Sequence, residues 1–336
     1  MDDVTAKVCD MYARFPYPSP QATGRKLMEL YNLLKIFEKE TGYNFAGRAI
    51  LDAGTGTGHR LIEAAKAFQK TEFVGVDVSP VPLSIARQAA AHEGLQNVQF
   101  RPGNLMDDDE HLGVFDVVLC MGVVQHLSEP ARGLRNLVRN LADEGVIFVY
   151  IYGKHGTRER MRRKQITSLL LNGNQEDFEL GIRIVKDLGF DSFEFDYGWN
   201  LNFDDAASRD SLIVDAYLNV NDNLYAADEI FSLVRHSGLY GFATYGLALD
   251  RQGCLFDTRL QPGIRPIIEI TDVSPELSTQ RLQEAYQALS LADKYRLIDL
   301  LFEPAGYTLL GFKEGALQYF KPNDRVISNM FRISDL

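Results

Sequence analysis

An acid followed by glycines at alternate positions, Asp52-Ala53-Gly54-Thr55-Gly56-Thr57-Gly58, is the stretch best suited to holding a small charged ligand. Glycine lets the backbone turn tightly and approach a bound molecule. The helix-like segment that follows, to about Phe68, leaves its first N–H groups free for that molecule. The dinucleotide fingerprint G-x-G-x-x-G needs glycine at position 59, where His59 stands. An acid two residues before the first glycine suits a pyrophosphate poorly. It suits an ammonium or sulfonium group well, by opposite-charge attraction in a half-buried site. Asp52 can equally cap the turn through its own carboxylate. A second acid, Asp77, closes Phe73-Val74-Gly75-Val76-Asp77, 23 residues beyond Gly54. There a carboxylate can accept both hydroxyls of a ribose, or serve only as a solvated turn acid.

These residues need elements to position them. Ala49-Ile50-Leu51 ends one apolar strand and Phe73–Asp77 forms a second. Val98-Gln99-Phe100-Arg101 is a third, followed by Gly103-Asn104-Leu105. Phe115 to Cys120 is a fourth, running into Met121-Gly122-Val123-Val124-Gln125-His126-Leu127, and Gly145 to Ile151 is a fifth. Helical apolar patterns fill the intervals, as in Ser79 to His92 and Glu129 to Leu141. Strand–helix alternation of this kind predicts an α/β doubly wound, mostly parallel sheet. Ligands then bind at the carboxyl ends of the strands. His126 stands at that edge and is the best candidate for a general base; the competing reading makes it a pocket-shaping loop histidine.

Asp-x-Gly-x-Gly-x-Gly, the acid after the second strand, the Gly103-Asn104-Leu105 turn and the Met121–Leu127 segment come in an order that resembles the class I S-adenosylmethionine (SAM)-dependent methyltransferases. The resemblance covers about residues 46–152 well. It implies a seven-stranded sheet whose last strand is antiparallel, with SAM as cofactor and S-adenosylhomocysteine as product. It also implies cofactor contacts from Asp52, Gly54, Thr55, Gly56, Gly58, Asp77, Val78, Asn104, Leu105 and Met121. Gln125 occupies a place where a second histidine is common, which weakens any two-histidine proton relay.

Outside that core, residues 1–45 form an N-terminal arm and helix. The stretch Tyr12 to Pro20 holds three prolines, which forbid a helix, and Gly24 to Thr41 has helical spacing. Tyr17 on the stiff segment either closes over the cofactor or simply packs on the surface. Residues 153–238 make a largely helical cap insertion. Within it, 158–164 carries five basic residues in seven, readable as a solvated helix face or as a neutraliser of an acidic substrate or partner at the site mouth. The aromatic, acidic stretch 191–200 is either a substrate lid or an anchor. Tyr152, His155, Tyr197 and Trp199 are the candidate acceptor contacts. Residues 239–312 supply the last two strands, near Leu239 to Tyr245 and Tyr307 to Phe312, around a helical excursion. Residues 313–336 form a C-terminal tail.

With 336 residues the chain can bury a full core. Its net charge of −11 argues against a general nucleic-acid grip. Cys9, Cys120 and Cys254 are too scattered for a disulfide framework or metal cluster. No apolar run approaches the ~18 residues of a membrane span, and no secretory signal is visible, so a cytoplasmic location is expected. The leading expectation is a methyltransferase acting at O or N of a small or medium-sized molecule. The alternatives are a protein or RNA acceptor, or a SAM-binding partner protein that transfers nothing. The oligomeric state stays open.

Overall fold

The computed structural model describes residues 1–22, 25–108, 112–191, 205–244, 273–274, 277–321 and 330–335. At its centre lies a sheet built on five parallel strands: β1 Ala49–Ala53, β2 Glu72–Asp77, β3 Val98–Pro102, β4 Phe115–Met121 and β5 Leu141–Tyr152. Ile50, Leu51, Val117, Val118 and Leu119 are fully buried, as continuous apolar runs require when helices cover both faces. β5 starts earlier than its apolar run because Leu141 pairs with Phe115 across a register shift in β4. β7 Gly306–Phe312 is antiparallel to β5, and β6 Gly241–Thr244 is antiparallel to β7, giving the order 3-2-1-4-5-7-6.

Among the described residues the sheet has eight strands rather than the seven expected. β8 Met330–Arg332 adds to the outer side of β6, where Phe331 stacks on Phe242 at 5.2 Å and 14°. The tail expected over 313–336 thus returns to the sheet. Three residues held by one aromatic stack leave little periodicity to read.

α3 His59–Ala67, α4 Pro80–His92 and α5 Pro130–Arg139 follow β1, β2 and β4, and α2 Glu29–Thr41 packs beside α3. One helix was not expected, α1 Asp3–Arg14, capped by Asp2, whose carboxylate accepts Thr5 N–H at 2.9 Å. α1 seats on α4 and donates Met11 to the small apolar core of the cap. That cap core is otherwise built by α7 Phe178–Asp187, α8 Ala206–Ile213 and the π-helical turn Val214–Leu218. α6 Arg158–Leu170 and α9 Ala227–Val234 join the cap to the sheet, and α10 Gln280–Gln287 and α11 Leu291–Phe302 lead back into β7. Among the described residues no helix is long and apolar enough to cross a membrane.

Candidate functional site

β1 ends in a turn that only glycine can make. Gly54, Gly56 and Gly58 have φ of +78°, +57° and +73°. The N–H groups of Gly54 and Thr55 donate to Val76 O, tying the turn to β2. A Cβ on Gly56 would stand 2.3 Å from Tyr17 O, and a Cβ on Gly58 would stand 2.7 Å from the Phe100 ring. The N-terminal arm is therefore laid directly on the turn, and Thr57 Oγ1 donates to Pro18 O at 2.8 Å.

Above the turn is a cavity of about 220 Å³ along the carboxyl ends of the strands. Its floor holds Gly54, Gly56, Asp77, Val78, Asn104, Leu105 and Met121, and Tyr17 lines it from the arm. Asp77 accepts Gly56 N–H and Ser79 N–H, each at 2.9 Å, one on each carboxylate oxygen. Each oxygen can accept a second bond, so two hydroxyls of a ligand can still be taken. Burial raises the Asp77 pKa, and the backbone N–H groups oppose that rise.

Three expected contacts do not reach the cavity surface: Asp52, Thr55 and Gly58 are absent from its lining. Gly58 serves helix packing against Phe100 and Ala86. Thr55 is buried beneath the turn. Asp52 is buried near the end of β1, close to Thr55. Burial raises its pKa, and the nearby Arg60 charge pulls it back. The residues that do line this end are Arg60 and Glu29, a buried ion pair at 3.1 Å.

At the other end the wall comes from His126, Tyr152, Thr157, Arg160, Asp215 and Glu303, with Thr5, Val8 and Tyr12 of α1 overhead. His126 is almost fully buried. Its Nδ1 lies 2.8 Å from Asn221 O and 3.3 Å from Asp222 Oδ1. A carbonyl oxygen only accepts, so Nδ1 carries a hydrogen, and in the neutral ring Nε2 holds the lone pair. Gln125 Nε2 is 3.4 Å from that nitrogen. The segment 125–127 is gripped by a ladder of asparagines. Asn221 Nδ2 donates to the carbonyls of His126 and Leu127, and Asn223 Nδ2 donates to those of Gln125 and Leu127.

Asp222 is buried and salt-bridged to Lys164. Burial by itself would raise its pKa, but His126, Lys164 and Arg160 outweigh it and hold the carboxyl well below the usual range. A carboxylate whose folded pKa is depressed adds stability above its unfolded value, near 3.8, and loses it as pH falls through the folded value. Wild type should therefore lose stability more steeply below about pH 4 than Asp222→Asn does. Parallel urea midpoints for the two proteins from pH 4 downward would refute this contribution.

The basic run 158–164 is divided between solvent and the interior. Arg158 and Arg162 face solvent, while Arg160 is buried, with its guanidinium 4.1 Å from the Tyr152 ring centroid. Arg163 is turned toward Tyr217 and Phe190, and Lys164 toward Asp222. His155 lies outside the cavity, its Nε2 3.4 Å from Asp299 Oδ2, because β5 has ended and α6 is turning away there. Tyr197 and Trp199 lie outside the described residues. Sequence reasoning missed Tyr12, Arg60, Arg160, Asp215 and Asp222. One usable signal was the alternation of Asn219, Asn221 and Asn223, since such residues favour local backbone bonding.

The family model described as a methyltransferase domain matches residues 44–179. An uncharacterised protein of Synechococcus sp. is 27% identical over 89% of this chain and 69% of its own length. A ubiquinone biosynthesis O-methyltransferase of Acinetobacter baumannii is 32% identical over 32% of this chain and 45% of its own length. Among solved structures, PKMT2 from Rickettsia typhi in complex with AdoHcy has a TM-score of 0.60 at 18% identity. That likeness covers 89% of this chain and 55% of the other, so the chain spans about half the length of that relative.

The cavity fits S-adenosylmethionine, the cofactor of this family. A carboxylate able to accept two hydroxyls stands at Asp77, glycine backbone lines the cavity at positions 54 and 56, and Leu105 and Pro82 offer apolar cover. Residues 44–179 match the methyltransferase-domain model, and their strand order and glycine turn are those of the class I S-adenosylmethionine-dependent methyltransferase fold.

Proposed function

We propose that the protein moves a methyl group to an oxygen or nitrogen of a small or medium-sized molecule. The observation that carries this reading is the continuity of the cavity: one chamber runs from the glycine turn to a buried wall of His126, Tyr152, Arg160 and Asp215. Division into a cofactor-binding core over 46–152 and an acceptor-facing cap over 153–238 belongs to the same reading. So do the contacts of Gly54, Gly56, Asp77, Val78, Asn104, Leu105, Met121 and Tyr17 with the cofactor.

The bound sulfonium supplies an already activated methyl group, so the protein's work is alignment and exclusion of water, worth ~7–11 kcal/mol when the geometry is right. The arm, α1 and the cap close the chamber around the two reactants. Where the acceptor must lose a proton, His126 Nε2 takes it. The resulting imidazolium keeps its Nδ1–H on Asn221 O and faces the Asp222 carboxylate, which stabilises the new charge. An RNA acceptor would be served by an open basic surface, and the inward-turned Arg160, Arg163 and Lys164 do not offer one.

Labelled SAM incubated with fractionated extract should put label into the small-molecule fraction. Label in protein or RNA would overturn the acceptor class, and SAM binding without transfer to any fraction would favour the partner-protein reading. Asp77→Ala should weaken SAM binding by about 1.5–3 kcal/mol, the worth of a hydrogen bond to a charged group. Unchanged affinity by calorimetry would remove Asp77 from the ribose site.

A further inference from the structure

We infer that the methyl acceptor is the nitrogen of an amine, received by the carboxylate of Asp215. This deepens the methyl-transfer reading and rests on it. Asp215 belongs to the π-helical turn Val214–Leu218, is only 5% exposed, and lines the chamber. Single turns of this kind are frequent at functional sites. One of its oxygens, Oδ1, accepts the Tyr12 hydroxyl at 2.7 Å. Asn219 Nδ2 donates to the Tyr12 oxygen, which keeps the hydroxyl hydrogen on Asp215. The other oxygen, Oδ2, meets no donor among the described residues and keeps accessible surface. A carboxylate oxygen so placed is costly in a buried wall unless a ligand completes it.

The groups around it are short of hydrogens too. Thr5 gives its hydroxyl hydrogen to Asp2 Oδ2 and Thr157 gives its own to Gly153 O, while His126 Nε2 holds a lone pair. Arg160 does not make up the shortage. Its Nε and Nη2 are buried away from the cavity surface, so it presents no two-nitrogen edge to an anion. The Tyr152 hydroxyl, able to donate or accept, has no partner among the described residues. A ligand that suits this wall brings hydrogens of its own. A protonated amine brings two or three, with the charge that suits Asp215.

The charge balance agrees. Among the described residues the chamber is lined by the carboxylates of Glu29, Asp77, Asp215 and Glu303 and the guanidiniums of Arg60 and Arg160. Glu29 pairs with Arg60, Glu303 with Arg158 outside, and Asp222, behind His126, with Lys164. Asp77 and Asp215 against Arg160 leave one negative charge, which the net positive charge of the cofactor offsets. Asp52, buried near Arg60, can only add to the acidic side. A phenolate or carboxylate acceptor would bring a further negative charge beside Asp215 in a poorly solvated space. An amine does the opposite. It passes one proton to His126 Nε2 and keeps another N–H on Asp215 Oδ2. Its lone pair then forms the N–CH3 bond as the S–CH3 bond breaks, and the pair from that bond stays on sulfur. Positive charge thus moves from sulfur to nitrogen, where the Asp215 carboxylate stabilises it as it develops.

The test is calorimetric and needs no turnover. Wild type and Asp215→Asn, saturated with S-adenosylhomocysteine, are titrated at neutral pH with benzylamine, benzyl alcohol and benzoate. The three probes share one ring and differ in the group they present. In wild type, benzylamine should bind about tenfold tighter than benzyl alcohol, as a charge-assisted pair requires, and benzoate should bind most weakly. The preference should vanish in Asp215→Asn, which keeps the shape and an oxygen for Tyr12 but loses the charge. Equal binding of benzylamine and benzyl alcohol to wild type, or no binding of any probe, overturns the inference even where the variant does not fold. A preference that survives Asp215→Asn does the same, and tighter benzoate binding replaces the amine with an anionic acceptor. Failure of S-adenosylhomocysteine to bind wild type would instead strike at the methyl-transfer reading.

Discussion

His126→Ala lowers methyl transfer by about 10²–10⁴-fold, the usual range for losing a positioned general base, while SAM still binds. The size of the effect follows from how the ring is held. Nδ1 is committed to Asn221 O and lies near Asp222, so the imidazole has one orientation and one tautomer, and its proton-accepting nitrogen is fixed before the acceptor arrives. Alanine removes the acceptor of the proton and also the edge-to-face support of Tyr152. Two readouts separate chemistry from architecture: single-turnover rate with both ligands saturating, and S-adenosylhomocysteine affinity by calorimetry. A normal rate would make His126 a shaping residue, as the competing sequence reading has it. A lost rate accompanied by lost cofactor affinity would point to collapse of the 125–127 segment instead.

Gly56→Ala is expected to damage both the fold and the cofactor site. Its φ of +57° disfavours any side chain, and its Cβ would press on Tyr17 O at 2.3 Å, a backbone atom that cannot swing aside. Strain and overpacking together should cost about 2–5 kcal/mol of stability. Displacing the arm also disturbs the bond from Gly56 N–H to Asp77, so cofactor affinity should fall about ten- to hundredfold. Gly42→Ala is the matched control. Its φ of +76° carries similar backbone strain, but nothing lies within 4 Å of the added carbon. Urea denaturation of both variants decides the matter: equal losses would mean that the arm yields to the new side chain, and that its seating on the turn is loose.

The parts of the molecule that were legible in one dimension are those whose chemistry is local. Gly54 to Gly58, Asp77 and the apolar runs of β1 to β5 announce themselves because turn geometry and burial act on neighbouring residues. The chamber's far wall is assembled from residues distant in the chain. Tyr12 meets Asp215 across 203 positions, and Lys164 meets Asp222 across 58. No periodicity records such meetings. The run 158–164 illustrates the difficulty, since its arginines look equivalent as letters and part company only when α6 turns Arg160 inward. Asp52 shows the reverse error. Its spacing before the glycines marks the turn, but its buried position on β1 keeps its side chain out of the cavity lining. The short β8 had almost no pattern to offer.

Segments far apart in the chain meet at the chamber. Thr5, Val8 and Tyr12 close it from one side, and Glu303 and Ala305 line it from another, where Gly153 N–H donates to Ala305 O at 2.9 Å. During synthesis the cofactor floor is complete once β5 has emerged from the ribosome, with more than 150 residues still to come. A nascent chain at that stage has a place for the cofactor and the α1 side of its cover, without the cap wall. Closure of the chamber thus waits for the turn before β7.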